Sequence, residues 1–179
     1  MTDYRCAFSL LGDRKFLSHL DLLTMWQRAM RRAQIPVGYS QGFNPHTLFS
    51  FGPAHSVGVE DEAVYFDITL TKAMRPADLQ EKVNAVLPEQ IMLHTVKELP
   101  ARYEALMACI NLATYEVQLK EMPNECQAQT RIKKLLQLDH YVMERITPKG
   151  VKSFDLRPAI HQLHYAGQGL FIMDILLGN

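Results

Sequence analysis

The sequence predicts an α+β protein made of two ferredoxin-like, split βαβ halves that pack together, with the second half less complete than the first. Three observations predict this class. Segments with apolar residues at every second position alternate with segments whose apolar residues recur at helical spacing. The first hundred residues follow the order strand, helix, strand or hairpin, strand, helix, strand, which is the split βαβ order. A second strand–helix–strand opening begins at residue 112.

The first half is predicted to cover residues 1–100 and begins with the alternating strand YRCAFSL. Its first helix, over residues 18–33, begins at Ser18 because Asp21 completes a capping box. A second helix in RPADLQEKVNAVLPE has Pro76 at its first position, and strands in AVYFDITL and IMLHTVKEL complete the half. The residues predicted to face its core are Tyr4, Cys6, Phe8, Leu10, Leu22, Trp26, Ala29, Ala33, Val64, Phe66, Ile68, Leu70, Leu79, Val83 and Val86.

The second half is predicted to cover residues 112–179, after a joint at residues 101–111. It contains the strand ATYEVQLK, a helix capped by Asn124, the strand YVMERIT and the strand LFIMDILL. The segment FDLRPAIHQLHYAG fits either a short helix or a strand. Because the chain stops directly after a strand, we expect that a final helix is missing and that this half is truncated at its C-terminus. The residues predicted to face its core are Tyr115, Val117, Leu119, Ala128, Ile132, Leu135 and Leu136.

Composition excludes several classes of protein. The longest apolar runs are shorter than the 18 residues of a membrane span, and the N-terminus lacks a secretory signal, so we expect a cytoplasmic protein. Cys6, Cys109 and Cys126 form no CxxC pair, so no zinc site or iron–sulfur cluster, and no cofactor, is expected within this chain. The net charge is zero, but residues 1–50 carry six Lys and Arg against three Asp and Glu. A local basic patch is therefore expected.

The segment YSQGFNPHTLFSFGPAHSVGVE, from Tyr39 to Glu60, combines glycines with aromatic residues. We interpret residues 38–58 as a glycine-rich hairpin that lies beside the first helix and brings Asn44 and His46 near His19. Glycines permit close approach of the backbone, and flat apolar surface is supplied by the rings of Tyr39, Phe43, Phe49 and Phe51. A hairpin with a purely structural role remains an equal alternative.

A binding site is predicted where the start of the first helix meets this hairpin. A helix N-terminus attracts anions, aromatic rings stack bases, and arginines contact phosphates. A solvated helix face is the alternative for the arginines. No metal site is predicted. The residues of the predicted site are Ser18, His19, Asp21, Tyr39, Asn44 and His46, with Arg28 and Arg31 along its edge.

Three blocks of the sequence resemble a known family. They are FLSHLDL, YSQGFNPH…SF and VGVE followed by a strand, with a weaker match in KGVKSFDLRP. They closely resemble the radical-SAM-linked family of bacterial domains of unknown function, found beside or fused to radical S-adenosylmethionine (radical SAM) proteins. Members often have NPHPKLSF where this chain has NPHTLFSF, so a proline and a basic residue are absent here.

The resemblance implies a non-catalytic accessory module that recognises a substrate, RNA or an RNA-containing particle, for a radical SAM partner protein. Any radical chemistry would belong to that partner. The alternative is a metal-independent RNA endonuclease of the CRISPR repeat-processing type, because two ferredoxin-like halves with a nearby histidine resemble those enzymes. His19 and His46 would then be the base and the acid.

Overall fold

A computed structural model describes residues 1–148 and 150–178, and the chain divides into two compact units, Met1–Cys109 and Ile110–Asn179. None of the helices described is long and apolar enough to cross a membrane. The strands are β1 (Thr2–Leu10), β2 (Phe49–Phe51), β3 (Asp61–Leu70), β4 (Ile91–Glu98), β5 (Leu112–Gln118), β6 (Val142–Thr147), β7 (Gly150–Asp155), β8 (Ile160–Gly167) and β9 (Leu170–Leu176). The α-helices are α1 (His19–Arg32), α2 (Pro76–Asn84), α3 (Leu106–Cys109) and α4 (Glu125–Leu136).

The first unit contains a four-stranded antiparallel sheet in the order β2-β3-β1-β4. Its elements follow the chain order of a split βαβ unit, and β1 lies between β3 and β4. In this register Ala7 lies opposite Tyr65 on one side and Thr95 on the other. The α+β class predicted from the sequence is confirmed.

The core of the first unit lies between the sheet and its helices. Alternate residues of β1, from Tyr4 to Leu10, are fully buried, and Trp26 on α1 packs among them. The inward-facing prediction is confirmed for this unit except at Ala33 and Val86, which are half-buried near the ends of their helices. The Tyr4 hydroxyl donates to the Met74 carbonyl at 2.8 Å and accepts from the Met74 N–H at 2.9 Å, so a polar group inside this core is satisfied.

Two side chains of α2 form hydrogen bonds with the backbone of the edge strand β4. The Asn84 side chain accepts from the Leu93 N–H at 2.9 Å and donates to the Leu93 carbonyl at 3.0 Å. Gln80 donates to the carbonyls of Leu93 and His94 at 3.0 and 2.9 Å. These two amides satisfy peptide groups that a strand at the edge of a sheet would otherwise leave unpaired.

The second unit has a different arrangement. Its strands form a three-stranded antiparallel sheet, β5-β9-β8, and a separate β6-β7 hairpin, so the ferredoxin-like arrangement predicted for both halves is not confirmed. The ambiguous segment contains the end of β7, a short 3₁₀ turn at Arg157–Ala159 and β8. The turn predicted at residues 148–150 includes residue 149, which lies outside the described residues.

Fewer apolar residues are buried in the second unit than the sequence predicts. Among its described residues, Ala128 and Ile160 are the buried apolar ones, whereas Val117 and Leu119 are exposed. The physical reason is that a cavity of about 270 Å³ remains between α4 and the three-stranded sheet. Leu119, Ile132 and Leu135 are among the residues that line this cavity.

We predict that Asn84→Ala lowers the free energy of unfolding by about 1–3 kcal/mol, because it leaves the Leu93 N–H without its partner at a part-buried position. Denaturation in urea followed by the fluorescence of Trp26, the single tryptophan of the chain, measures this change in the first unit. Glu81→Ala, at an exposed position of the same helix, is the control and should change the value by no more than about 0.5 kcal/mol. Equal losses in the two variants would contradict the assigned role of Asn84.

Candidate functional site

A cluster of aromatic side chains joins α1 and the glycine-rich segment to the sheet. The ring of Trp26 lies 4.9 Å from that of Phe8 and 4.6 Å from that of Phe66. The ring centroids of Phe49 and Phe51 of β2 lie 5.5 and 5.6 Å from the ring centroid of Phe66. Two of the aromatic residues that the sequence suggested as a stacking surface are therefore anchors that attach β2 to the core.

The start of α1 is closed by its own capping box. The Ser18 hydroxyl accepts from the Asp21 N–H at 3.2 Å, and the Asp21 carboxylate accepts from the Ser18 N–H at 3.1 Å and from the Ser18 hydroxyl at 2.6 Å. These bonds, above all that from the hydroxyl, hold the pKa of Asp21 below its ordinary value. The helix N-terminus therefore carries a negative charge at neutral pH, which disfavours an incoming phosphate there.

His19 lies beside this cap and packs edge-on against Phe51, with ring centroids 5.1 Å apart. Phe51 belongs to β2, so this contact joins the helix start to the segment that the sequence suggested would lie beside it.

The glycine-rich segment forms a hairpin over residues 38–48, shorter than the predicted 38–58, and continues into β2 and a loop over residues 52–60. The Gly38 N–H donates to the Thr69 carbonyl at 2.7 Å, and a Cβ at Gly38 would lie 3.2 Å from that oxygen. Glycine therefore permits this close approach to β3. Within the hairpin, the Ser40 hydroxyl and the Nδ1 of His46 form a hydrogen bond of 2.8 Å.

The predicted site residues fall into two groups along α1. Ser18, His19 and Asp21 lie at the helix start, whereas the hairpin is attached further along, where Gln27 donates to the Thr47 hydroxyl at 3.0 Å. Eight residues of helix separate His19 from Gln27, about 12 Å along the axis. His46, the neighbour of Thr47, therefore belongs with the second group.

The second group combines exposed arginines with exposed aromatic rings. Arg28 and Arg31 are exposed, and neither forms a hydrogen bond or ion pair with any residue that the structure describes. Arg32 differs, because its guanidinium donates to the Val86 carbonyl at 2.8 Å. Tyr39, which is bridged to Thr47, is about half exposed, and Phe43 near the hairpin tip is fully exposed. Asn44 and His46 are exposed in the same hairpin.

Arg31 lies one turn beyond Gln27, so the two side chains share a helix face. This face carries the attachment of the hairpin at Thr47. The arrangement therefore places the positive charge of Arg31 on the helix face to which the hairpin of Tyr39 and Phe43 is attached.

Three features of this region were missed from the sequence. Gln27 attaches the hairpin, which pattern alone does not reveal. Around the helix start there are three large exposed apolar residues, Phe16, Leu20 and Val57. The Gly58 N–H donates to the Lys15 carbonyl at 2.8 Å, which joins the loop over residues 52–60 to the segment that precedes α1. Exposed apolar residues near one another are typical of interaction surfaces.

Over residues 1–148 and 150–178, no three His, Cys, Asp or Glu side chains are grouped to hold a metal ion.

Residues 3–178 match the family described as "Uncharacterized protein conserved in bacteria (DUF2344)". No curated protein matches the chain.

We predict that Gln27→Ala releases the hairpin from α1. Because Gln27 supplies the side-chain bond to Thr47, its loss should speed hydrogen exchange at the hairpin amides of Ser40 and Leu48 while leaving the β1–β3 ladder protected. Thr24→Ala, at an exposed position one turn earlier, is the control. Unchanged exchange in the hairpin of Gln27→Ala would show that other contacts hold it.

Proposed function

From the premise that this chain belongs to the DUF2344 family of bacterial proteins, we propose that it is a non-catalytic recognition module that binds RNA for a radical SAM partner protein. The observation that carries the proposal is that Arg28 and Arg31, which have no partner among the described residues, lie on the helix to which the hairpin with the exposed rings of Tyr39 and Phe43 is attached.

The arginines supply the electrostatic part of the proposed interaction. A guanidinium that has no carboxylate partner keeps its full attraction for a phosphate, and release of counterions then makes the affinity depend on salt. Arg32 is bound to the end of α2, so the proposal relies on Arg28 and Arg31 alone.

The aromatic rings supply the part of the interaction that suits single strands. Tyr39 and Phe43 are not packed in the core, whereas Phe49 and Phe51 are. Single-stranded nucleic acid offers unstacked bases, which stack on such rings beside basic groups. Duplex DNA would not expose its bases in this way, so a single strand is the favoured form of the ligand, and RNA is proposed from the family resemblance.

The partner is proposed from the resemblance of FLSHLDL and YSQGFNPH to the radical-SAM-linked family. The exposed apolar residues Phe16, Leu20 and Val57 support a protein partner, because burying them would remove apolar surface from water. They surround the capped helix start, whereas the proposed RNA surface lies further along α1.

The separation of the two histidines favours recognition over cleavage. An RNA endonuclease of the metal-independent kind needs a base and an acid on either side of one phosphate. His19 packs on Phe51, while His46 is held by Ser40 in the hairpin attached near Gln27. These anchors support two separate roles for the two imidazoles.

We predict that Arg31→Ala weakens binding of short single-stranded RNAs of every sequence. The slope of log K against log salt should fall in magnitude by about 0.7, the value for one phosphate on a single strand. Fluorescence anisotropy across a series of salt concentrations measures both quantities. Arg102→Ala, an exposed arginine outside α1 and the hairpin, should leave the slope unchanged.

We predict that Tyr39→Ala costs about 1–3 kcal/mol of binding free energy without changing the salt slope, because stacking is not electrostatic. The same anisotropy measurement separates the two effects. Absent or salt-independent binding by the unaltered protein would discard RNA as the ligand and leave a protein-docking surface as the better explanation of this face.

We predict that the radical SAM protein of the same bacterium co-purifies with this chain and that Leu20→Asp weakens the association, because it places a charge within the exposed apolar group. Val151→Asp, at an exposed apolar position of the second unit, is the control. Failure of the radical SAM protein both to bind this chain and to respond to it in activity would end the accessory model.

A further inference from the structure

The four-stranded sheet has a second face, turned away from α1 and α2, and the two ends of this face differ. The residues of β1 that point to it are Arg5, Ala7 and Ser9, which alternate with the core residues. At one end, Arg5 binds both oxygens of Asp67 at 2.9 and 3.0 Å and donates to the Glu104 carbonyl at 2.7 Å. The chain around residue 104 therefore covers that end.

The other end of this face holds a cavity of about 450 Å³. Its centre is the row in which Ala7 lies between Tyr65 of β3 and Thr95 of β4. Because the Ala7 side chain is small, the bottom of the cavity is flat there and lies below the larger side chains of Tyr65 and Thr95. The cavity is lined by Ala7, Ser9, Leu11, Glu62, Ala63, Tyr65, His94 and Thr95. Its size is that of a site for a small ligand.

The polar groups of this cavity are not engaged within the protein. The side chains of Ser9, Glu62, Tyr65, His94 and Thr95 make no hydrogen bond to any part of the chain that the structure describes. Ser9 is only 3% exposed as a residue, yet its hydroxyl oxygen is not fully buried and so reaches the cavity surface. A ligand in the cavity can therefore form a hydrogen bond with it directly.

The lining defines the chemistry of the ligand. Neither lysine nor arginine is among the lining residues and Glu62 is acidic, so a phosphate is disfavoured. The two rings, of Tyr65 and His94, suit a flat heterocycle above the alanine floor. The hydroxyls and the carboxylate suit a ligand edge with N–H donors.

We propose that this cavity binds a single nucleobase that carries an exocyclic amino group, guanine above the others. The Glu62 carboxylate can accept two N–H groups from the Watson–Crick edge of guanine, whereas adenine and cytosine offer it one amino group. The single ring N–H of uracil lies between two carbonyl oxygens, which the carboxylate repels. Ser9 and Thr95 contact the remaining polar atoms of the base, and Tyr65 stacks on its ring.

This proposal deepens the proposed function by giving an RNA-binding chain a base-reading cavity on a face other than α1. The two are separable by experiment, because a nucleoside has no phosphate and does not need Arg28 or Arg31. Nucleoside binding therefore tests the cavity, and the salt dependence of RNA binding tests the α1 surface.

The experiment is a titration of the full chain with guanosine, inosine and uridine. Binding is monitored through the amide NMR signals of β1, β3 and β4. Guanosine should bind saturably and shift these signals. Inosine, which lacks the amino group of guanosine, should bind about tenfold or more weakly, because it loses a hydrogen bond to a charged group. Uridine should bind more weakly still.

Variants identify the cavity as the place of binding. Ala63→Leu should abolish guanosine binding by filling the cavity, and Ser9→Ala should weaken it with almost no change in volume. Ala85→Leu, at the exposed end of α2, is the control and should bind as the unaltered protein does. Absence of saturable guanosine binding in a folded protein, equal binding of uridine, or full binding by Ala63→Leu would overturn the proposal.

Discussion

The burial of Trp26 is the constraint on which the first unit depends. Its ring meets Phe8 of β1 and Phe66 of β3, and through Phe66 it is joined to both aromatic residues of β2. The indole Nε1 is buried and has no hydrogen-bond partner among the described residues, so apolar packing must offset the loss of its hydration. The orientation of α1, and with it the direction of Arg28 and Arg31, follows from this packing.

The same strand supplies both the core and the second face of the sheet. From Tyr4 to Leu10, every second residue of β1 is apolar and fully buried, while the residues between them change from Arg5 at one end to Ala7 and Ser9 at the other. Where these outward residues become small, the second face of the sheet holds the cavity of about 450 Å³. One strand thus contributes packing energy on one side and a binding surface on the other.

The sequence was sufficient for β1, β3 and β4, for α1 and α2, and for nearly all of the core of the first unit, because their apolar spacing is regular. It also located the capping box at Ser18, which is a local pattern. It was insufficient for the division of the site, because the bond from Gln27 to Thr47 joins residues 20 apart and no spacing rule encodes it. It also treated Phe49 and Phe51 as free surface, since a segment rich in glycine gives no sign of which rings are buried.

The second unit shows a different limit of sequence reasoning. The sequence predicted β5, β6 and β9, missed β7 and left β8 ambiguous, and alternation does not state which strands pair. The pairing of β8 with β9 and the separate β6-β7 hairpin depend on long-range contacts.

The side-chain amides of α2 that bind the edge of β4 have a consequence for assembly. A bare edge strand recruits strands from other chains through generic backbone pairing, which is a route to aggregation. With Asn84 and Gln80 in place, a foreign strand would have to displace α2 before it could lengthen the sheet on this flank. Recognition there is left to side chains, which discriminate between partners, and the protein is protected from indiscriminate sheet extension.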